Sequence, residues 1–257
     1  MSTALYDRVI FGPIHSRRLG LSLGVNLLPL DHKLCSFDCI YCECGWGEKK
    51  EKVRFNDRET VRRELERKLT EMVEAGTPPD VITFAGNGEP TLHPDFGEII
   101  EDTIALRDRI TPRAKVSVLS NATQIGRERV RAALLRVDNN ILKLDSAFDR
   151  TVRLVDRPRG NYSVAETVEN MKKFEGQLIV QTMFLRGEFE GKIVDNTTEE
   201  EVSAWLALIR EIAPRQGMVY TIDRSTPAEN LQKVTVEELK AIAARVEALG
   251  ITCSVAG

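Results

Sequence analysis

The most informative stretch of the chain follows an apolar run at residues 25–28 and reads Leu34-Cys35-Ser36-Phe37-Asp38-Cys39-Ile40-Tyr41-Cys42. Its three cysteines have the spacing C-x3-C-x2-C, and an aromatic residue precedes the last of them. Cysteines this close in one loop are poorly placed for disulfides, but thiolates gathered in this way suit a metal centre. An iron–sulfur cluster usually takes four thiolates, so three would leave one iron open to a ligand from outside the protein.

The composition is that of an ordinary globular protein. Of the 257 residues, 42% are hydrophobic and 29% are charged, and the formal net charge is -3. This balance does not indicate bulk attraction to nucleic acid or to an anionic membrane. We expect one domain over residues 1–257, with an irregular segment at 1–23. Because no signal-type or membrane-spanning apolar run occurs, we expect a cytoplasmic protein without a membrane partner, in which thiols stay reduced.

Short apolar runs alternate with amphipathic segments along the chain. The runs are rich in Val, Ile and Leu and predict buried parallel strands at 25–28, 81–84, 116–119, 141–144, 178–183 and 218–222, with a last short strand at 252–255. Helices are predicted near 96–109 and 127–136. Four more are predicted to begin at residues that a glutamate follows three positions later, as in a capping box: Asn56, Ser163, Thr198 and Thr235.

Six strand–helix units in succession predict an α/β fold with a parallel sheet and right-handed crossovers. Six units are fewer than the eight of a closed barrel. We therefore expect a partial (βα)6 TIM-like open barrel, with a flat doubly wound sheet as the alternative. Both architectures place function at the C-terminal ends of the strands.

Polar residues stand at nearly every predicted strand end. Glu89 follows the second strand within a Gly-rich turn and is suited to accept hydrogen bonds from a cationic amine. Each such residue taken alone also fits an ordinary turn or helix cap, and it is their joint placement that favours a ligand-binding mouth. In chain order the candidates are Gly88, Glu89, Pro90, Ser120, Asn121, Lys143, Asp145, Gln181 and Tyr220.

These motifs together resemble the radical S-adenosylmethionine (radical SAM) superfamily. The resemblance is carried by Cys35-x3-Cys39-x-Tyr41-Cys42 after the first strand, by Gly88-Glu89-Pro90 after the second, and by the order of the six units. The N-terminal stretch from Gly12 to Asn26 is similar to a subgroup related to wyosine-type tRNA base synthetases. Residues 1–34 contain no cysteine for a second cluster, so the chain resembles a minimal, single-cluster form and the tRNA substrate does not follow from the resemblance.

The resemblance implies a specific chemistry. Cys35, Cys39 and Cys42 would hold a [4Fe-4S] cluster, whose fourth iron the amino and carboxylate groups of SAM would chelate. An electron from a donor such as flavodoxin or ferredoxin would cleave SAM to a 5′-deoxyadenosyl radical, which abstracts hydrogen from a substrate. Tyr41 would lie near the adenine and Glu89 would bind the amino group. Gly88 and Pro90 would flank that glutamate, Ser120, Asn121 and Asp145 would serve the ribose or carboxylate, and Lys143, Gln181 and Tyr220 would line the site.

Several alternatives remain open at this point. His32 with the three cysteines forms H-x2-C-x3-C-x2-C, which fits a zinc-stabilised binding module. A fourth ligand, Cys44, would suit an electron-transfer protein. Within the enzyme interpretation, RNA modification leads narrowly over radical activation of a partner protein and over small-molecule chemistry.

Other notable residues have less specific interpretations. We expect Cys44 to be a bystander of the cluster loop, and Cys253 to be a small buried hydrophobe. His15 and His93 are expected to be structural. Arg17 and Arg18 suit an anionic substrate or ion pairs equally well, and the basic run at 49–54 suits either a docking reductase or solvent.

Overall fold

A computed structural model describes residues 5–16, 19–48 and 53–257 of the chain. Its strands, in chain order, are β1 (Ile10–Ser16), β2 (Gly20–Val25), β3 (Val81–Phe84), β4 (Lys115–Ser120), β5 (Asn139–Lys143), β6 (Ile179–Met183), β7 (Leu185–Phe189), β8 (Lys192–Asp195), β9 (Gln216–Tyr220), β10 (Leu231–Lys233) and β11 (Thr252–Ala256). Its helices are α1 (Arg58–Glu74), α2 (Phe96–Ile110), α3 (Glu128–Leu134), α4 (Asp149–Val155), α5 (Val164–Lys172), α6 (Glu199–Ile212) and α7 (Val236–Glu247), with a short 3-10 helix at Pro90–Leu92.

The main sheet is curled, mostly parallel and shaped as a half-barrel. Its strand order is β1-β2-β3-β4-β5-β6-β9-β11, and every neighbouring pair is parallel except β1 with β2. Six strand–helix units run from β2 to α7, as predicted. The partial TIM-like barrel is therefore confirmed, and the flat doubly wound alternative is wrong.

The core lies between the sheet and its helices. Alternate residues of each strand, such as Leu23, Ile82 and Val118, pack with helix residues such as Leu65 and Ile209, all of them fully buried. Each such side chain contributes about 1.5–3 kcal/mol on burial. The opposite strand residues face the concave side, where a separate small cluster of Ile141, Ile179 and Met218 fills the barrel.

The N-terminal segment differs from expectation. Residues 1–23 were expected to be irregular, but β1 and β2 form an antiparallel hairpin that extends the sheet. β1 is half-exposed and lacks a continuous apolar run, so periodicity does not reveal it. The first parallel strand ends at Val25, because the Asn26 side chain accepts from the Leu28 backbone N–H at 3.2 Å and turns the chain out of the sheet.

Most helix starts agree with the sequence, and one does not. Ser163, Thr198 and Thr235 each accept the predicted backbone hydrogen bond as N-caps. The first helix is capped by Asp57, which accepts from Thr60 N at 2.9 Å, and not by Asn56. The Asn56 amide instead donates to the Asn26 and Leu28 carbonyls at 2.9 and 2.8 Å, so it is unavailable as a cap.

Two features had no counterpart in the predicted pattern. One is α4, a single short helix of which only Val152 and Val155 are buried. The other is a small antiparallel sheet in the order β10-β7-β8, in which β7 and β8 lie between β6 and α6 along the chain and β10 lies between β9 and α7. None of the helices in the described ranges is long and apolar enough to cross a membrane.

Candidate active site

The cysteine loop is joined directly to the turn that carries Glu89. Leu34 and Gly88 form a parallel β-bridge, in which Leu34 N donates to Asn87 O at 2.8 Å and Glu89 N donates to Leu34 O at 3.0 Å. Gly88 has φ +135°, and a Cβ there would lie 1.8 Å from the Leu34 carbonyl oxygen. Only glycine allows this approach, so the two sequence motifs are coupled through backbone contact.

The other side of the loop rests on the end of α4. Ile40 N donates to Val155 O and Asp38 N to Asp156 O, both at 2.9 Å. Phe37 and Ile40 are buried there in one apolar cluster with Cys39, and Cys35 and Cys42 pack against this cluster. Helix α4, which the sequence did not predict, thus supports the cysteine motif, which the sequence did predict.

The three predicted ligands line one cavity of about 760 Å³ at the C-terminal ends of the strands. Their surroundings differ. Burial raises the pKa of the Cys35 thiol to about 12 and that of Cys39 well above its usual value. A hydrogen bond from the Cys44 thiol outweighs burial at Cys42 and lowers its pKa to about 5. Cys44 lines the same cavity, and its thiol also lies 3.3 Å from Gly86 O.

Glu89 is buried with its carboxylate already well bonded. Its Oε1 accepts from Ser120 Oγ at 2.9 Å and from Thr91 N at 3.1 Å, and its Oε2 accepts from Asn121 N at 2.6 Å. Burial nevertheless raises the pKa of this carboxyl group. Asn121 also donates through its side chain to Ser36 Oγ at 2.9 Å. Glu89, Ser120 and Asn121 therefore form one unit that contacts the cysteine loop.

A second polar cluster surrounds Tyr41. The Tyr41 hydroxyl contacts Lys143 Nζ and Asp145 Oδ2, and it lies 3.3 Å from Asp156 Oδ1. Lys143 Nζ is 3.3 Å from Asp145 Oδ2 and 3.8 Å from Cys39 Sγ. Burial, together with the neighbouring Asp145, raises the pKa of Asp156 to about 7. The cluster ties the strand end of β5 to the cysteine loop.

Eleven of the thirteen predicted site residues line the cavity, and two do not. Gln181 and Tyr220 lie on its wall with the residues already described. Pro90 is buried at the start of the 3-10 helix. Asp145 lies behind Lys143 and Tyr41, and its second oxygen accepts from Met183 N at 2.9 Å.

Sequence reasoning missed three contributors to the site. Lys33 is 3% exposed and lines the cavity, although it stands only two residues before Cys35. Asp156 lies in a segment without any apolar pattern, so nothing in the sequence marked it. Asn87 was visible in the Gly-rich turn, and its buried side chain holds the backbone of Tyr6 at the cavity rim.

The remaining candidates have varied outcomes. His32 does not line the cavity, and its Nδ1 lies 2.7 Å from Asp31 Oδ1. His15 does line the cavity, whereas His93 is buried in hydrogen bonds to backbone groups of Asn56 and Asp95. Cys253 is half-buried against the core. Arg17, Arg18 and most of the basic run at 49–54 fall outside the described residues.

The residues present fit an iron–sulfur cluster. Three cysteine sulfurs face one cavity of sufficient size, and the thiolate is the ligand that such clusters take. Across the described ranges, no three His, Cys, Asp or Glu side chains converge where a single metal ion could be held. The zinc alternative needs His32 as its fourth ligand, and His32 does not line the cavity that the three cysteines share.

Two curated relatives match most of this chain. A UPF0026 protein of Methanocaldococcus jannaschii is 31% identical over 242 residues, which cover 92% of this chain and 70% of that protein. A protein of Brachyspira hyodysenteriae named GTPase Obg is 29% identical over 240 residues, again 92% of this chain. The match spans only 33% of the length of that second relative.

A solved structure and a protein family complete the comparison. A radical SAM methyltransferase from Sphaerobacter thermophilus superposes with a TM-score of 0.69 at 14% identity, covering 91% of this chain and 65% of that one. At this identity the likeness concerns the fold. The radical SAM superfamily matches residues 32–196, which include the cysteine loop, Glu89 and Lys143. With its cysteine motif, half-barrel and strand-end cavity, this chain belongs to the radical SAM superfamily.

Proposed function

We propose that this protein uses a [4Fe-4S] cluster to cleave SAM reductively, and that the resulting 5′-deoxyadenosyl radical abstracts hydrogen from a substrate. Radical SAM enzymes in general use this cluster and SAM as cofactors and need a one-electron donor such as flavodoxin or ferredoxin. The observation that carries the proposal is that Cys35, Cys39, Cys42 and Glu89 all line the same cavity. When bound, the cluster would supply the electron that breaks the sulfonium bond.

The chain's own residues would bind and orient the cofactors. Cys35, Cys39 and Cys42 would ligate iron as thiolates. Within the described part of the chain, Glu89 Oε2 accepts one hydrogen bond, from Asn121 N, which leaves that oxygen with capacity to accept another from the amino group of SAM. Ser120, Asn121, Gln181 and Tyr220 would contact other polar groups of SAM from the cavity wall, with Tyr41 beside them and Gly88 and Pro90 fixing the glutamate.

Product analysis tests this chemistry. Anaerobically reconstituted protein, reduced and mixed with SAM, is expected to bind about four irons and to release 5′-deoxyadenosine. Cys39→Ala is expected to abolish that release, since it removes a ligand. Cys253→Ala is the matched control, because Cys253 lies on β11 outside the cavity. Normal release by Cys39→Ala, or wild-type protein without iron, would contradict the proposal.

For the substrate we favour an RNA. The support is the half-barrel, which leaves the cavity open on one side, and the similarity of the Gly12–Asn26 stretch to wyosine-type synthetase relatives. A large substrate would itself exclude water from the radical. Nucleoside and metabolite mass spectrometry of a deletion strain tests this. Loss of one modified nucleoside is expected, whereas an unchanged nucleoside profile with an altered metabolite or an unactivated protein would favour the other substrate classes.

A further inference from the structure

Two lysines from different parts of the chain contact the cysteine loop. Lys33 Nζ donates to Gly45 O at 2.8 Å and to Asp38 Oδ1 at 3.1 Å, so it lies inside the turn that the loop makes. Lys143 reaches the loop from β5, with Nζ 3.8 Å from Cys39 Sγ. Both lysines line the cavity that the three cysteines share.

The charge around Lys33 is not balanced by its own carboxylate. The Lys33 side chain is 1% exposed, and Asp38 is its only carboxylate partner among the ion pairs of the described residues. Asp38 is also 3.4 Å from the guanidinium of Arg159. Two cations therefore share one anion. A buried ammonium is costly unless further negative charge compensates it, and Cys42, Cys35 and Cys39 would supply such charge at Lys33 when they are deprotonated.

The charge balance around Lys143 is the reverse of that around Lys33, because here two carboxylates share one cation. It is the cation between two buried carboxylates, at 3.3 Å from Asp145 Oδ2 and 3.5 Å from Asp156 Oδ1. Asp156 Oδ1 itself lies 3.3 Å from Cys39 Sγ. Lys143 is thus a cation beside the Cys39 sulfur in a cluster that also contains two carboxyl groups. Lys143 therefore offsets part of the negative charge that these carboxyl groups bring close to a predicted metal ligand.

We propose that Lys33 and Lys143 are positioning residues whose fixed positive charges set the reduction potential of the cluster held by Cys35, Cys39 and Cys42. The inference rests on the function proposed above. Three thiolates give the site negative charge, and one-electron reduction adds another. A cation close to a ligand sulfur stabilises the reduced form more than the oxidised form, and hydrogen bonds to the sulfurs act in the same direction.

Neutral replacement of either lysine should make reduction harder. We expect Lys143→Gln to lower the equilibrium constant for one-electron reduction about tenfold, which corresponds to a midpoint potential about 59 mV more negative. Lys33→Gln should shift the potential in the same direction. Lys143→Arg keeps the charge and should restore most of the wild-type value, which a merely structural role for Lys143 would not explain.

The test is a potentiometric titration of the whole chain followed by electron paramagnetic resonance, with dithionite as the one-electron reductant. Wild-type protein, the three variants and Lys240→Gln, an exposed control on α7, are reconstituted anaerobically and assayed for iron and sulfide. The resonance signal reports only molecules that hold a cluster, so partial loading does not obscure the potential. A variant that folds by circular dichroism but loads no cluster, while its arginine counterpart loads normally, also supports a role for the charge.

Two results would overturn the inference. One is a midpoint potential in both glutamine variants equal to that of the wild type and of Lys240→Gln. The other is an equal shift in Lys143→Gln and Lys143→Arg, since charge would then not be the cause. Failure of the wild type to bind iron is a different outcome, because it refutes the proposed function before the lysines are compared.

Discussion

At the scale of single residues, glycines decide whether the site can form. The loop that carries the cysteines is held by a bridge between Leu34 and Gly88, and this bridge needs a residue without a Cβ. Gly76, at the end of α1, also has a positive φ of +69°, but its surroundings are open. An alanine at Gly76 would meet only the cost of a positive φ, whereas an alanine at Gly88 would meet that cost and a steric collision as well.

Gly88→Ala is therefore expected to be far more damaging than Gly76→Ala. The new methyl group would collide with the Leu34 carbonyl, at a cost of about 4 kcal/mol or more in the free energy of unfolding, and iron uptake should fall with it. Gly76→Ala should cost about 1 kcal/mol from φ alone. Denaturant unfolding and iron assay of both variants check this, and equal losses would contradict a role for the bridge.

Substitution of a second single residue, Glu89, tests its hydrogen bonds and its role in SAM binding. Its carboxylate accepts hydrogen bonds from Ser120, Thr91 and Asn121, so Glu89→Gln would turn an amide NH2 group toward existing donors. We expect a loss of about 1–3 kcal/mol in unfolding free energy and weaker SAM binding. Glu98→Gln, at an exposed position in the first turn of α2, is the control. Unchanged SAM affinity, measured by calorimetry, would argue against a role for Glu89 in binding.

At the scale of elements, capping residues set where helices begin. Thr235 and Glu238 form a complete capping box at the start of α7. Glu238 also pairs with Arg186 of β7 at 2.8 Å. The box thus both starts the last helix and joins it to the small antiparallel sheet beside the barrel.

Removal of the cap should destabilise the protein modestly. Thr235→Ala leaves the N3 backbone N–H without its partner and is expected to cost about 1 kcal/mol. Thr77→Ala, an exposed threonine outside any helix, should cost little. Thermal or denaturant unfolding compares them, and a loss in Thr77→Ala as large as that in Thr235→Ala would show that the cap does not matter.

The same box predicts acid sensitivity. Hydrogen bonds from the Thr235 backbone, from Arg186 and from the Thr235 hydroxyl lower the pKa of Glu238 to about 2. Because the folded pKa lies below the unfolded one of 4.5, this contribution is fully present above pH 4.5 and is lost as the pH falls toward 2. Glu238→Gln should flatten the dependence of the unfolding midpoint on pH in that window. An unchanged slope would mean that other carboxyl groups dominate it.

At the scale of the whole molecule, curvature turns strand ends into a cavity. Side chains that follow β2, β3, β4, β5, β6 and β9 meet because the sheet curls, and the segment before β1 adds a further wall. Tyr6 is held at the rim by Asn87, which donates to its carbonyl at 2.9 Å and accepts from its N–H at 2.8 Å. The Tyr6 ring stacks on Phe11 with centroids 3.8 Å apart. Both rings line the cavity and make part of its wall apolar.

A ligand that fills this cavity should stabilise the entire fold. SAM at about one hundred times its Kd is expected to add about 2.7 kcal/mol to the unfolding free energy of the reconstituted protein, a rise of roughly 5 °C or more in Tm. Adenosine is the control, because it lacks the amino and carboxylate groups that Glu89 and the cluster would engage. An equal shift from adenosine would place the binding energy elsewhere.

Much of this could be predicted from the sequence, and the omissions have physical causes. Strands buried on both faces have continuous apolar runs, so the half-barrel strands from β3 onward were found. An edge strand such as β1 and a one-sided helix such as α4 bury too little to leave a pattern. Capping by Ser163, Thr198 and Thr235 is local and was predicted, whereas Asn56 failed as a cap because carbonyls of a distant loop took its amide.

The sequence by itself determined the superfamily and the six-unit order and predicted the cluster ligands, because cysteine spacing and apolar periodicity are local properties of the chain. Only the tertiary structure decided which groups surround those ligands. Lys33 and Lys143 reach the loop from different parts of the chain, and Asp156 contacts Cys39 across more than one hundred residues of chain. The charge around a metal ligand is a sum over neighbours in space, and folding alone selects those neighbours.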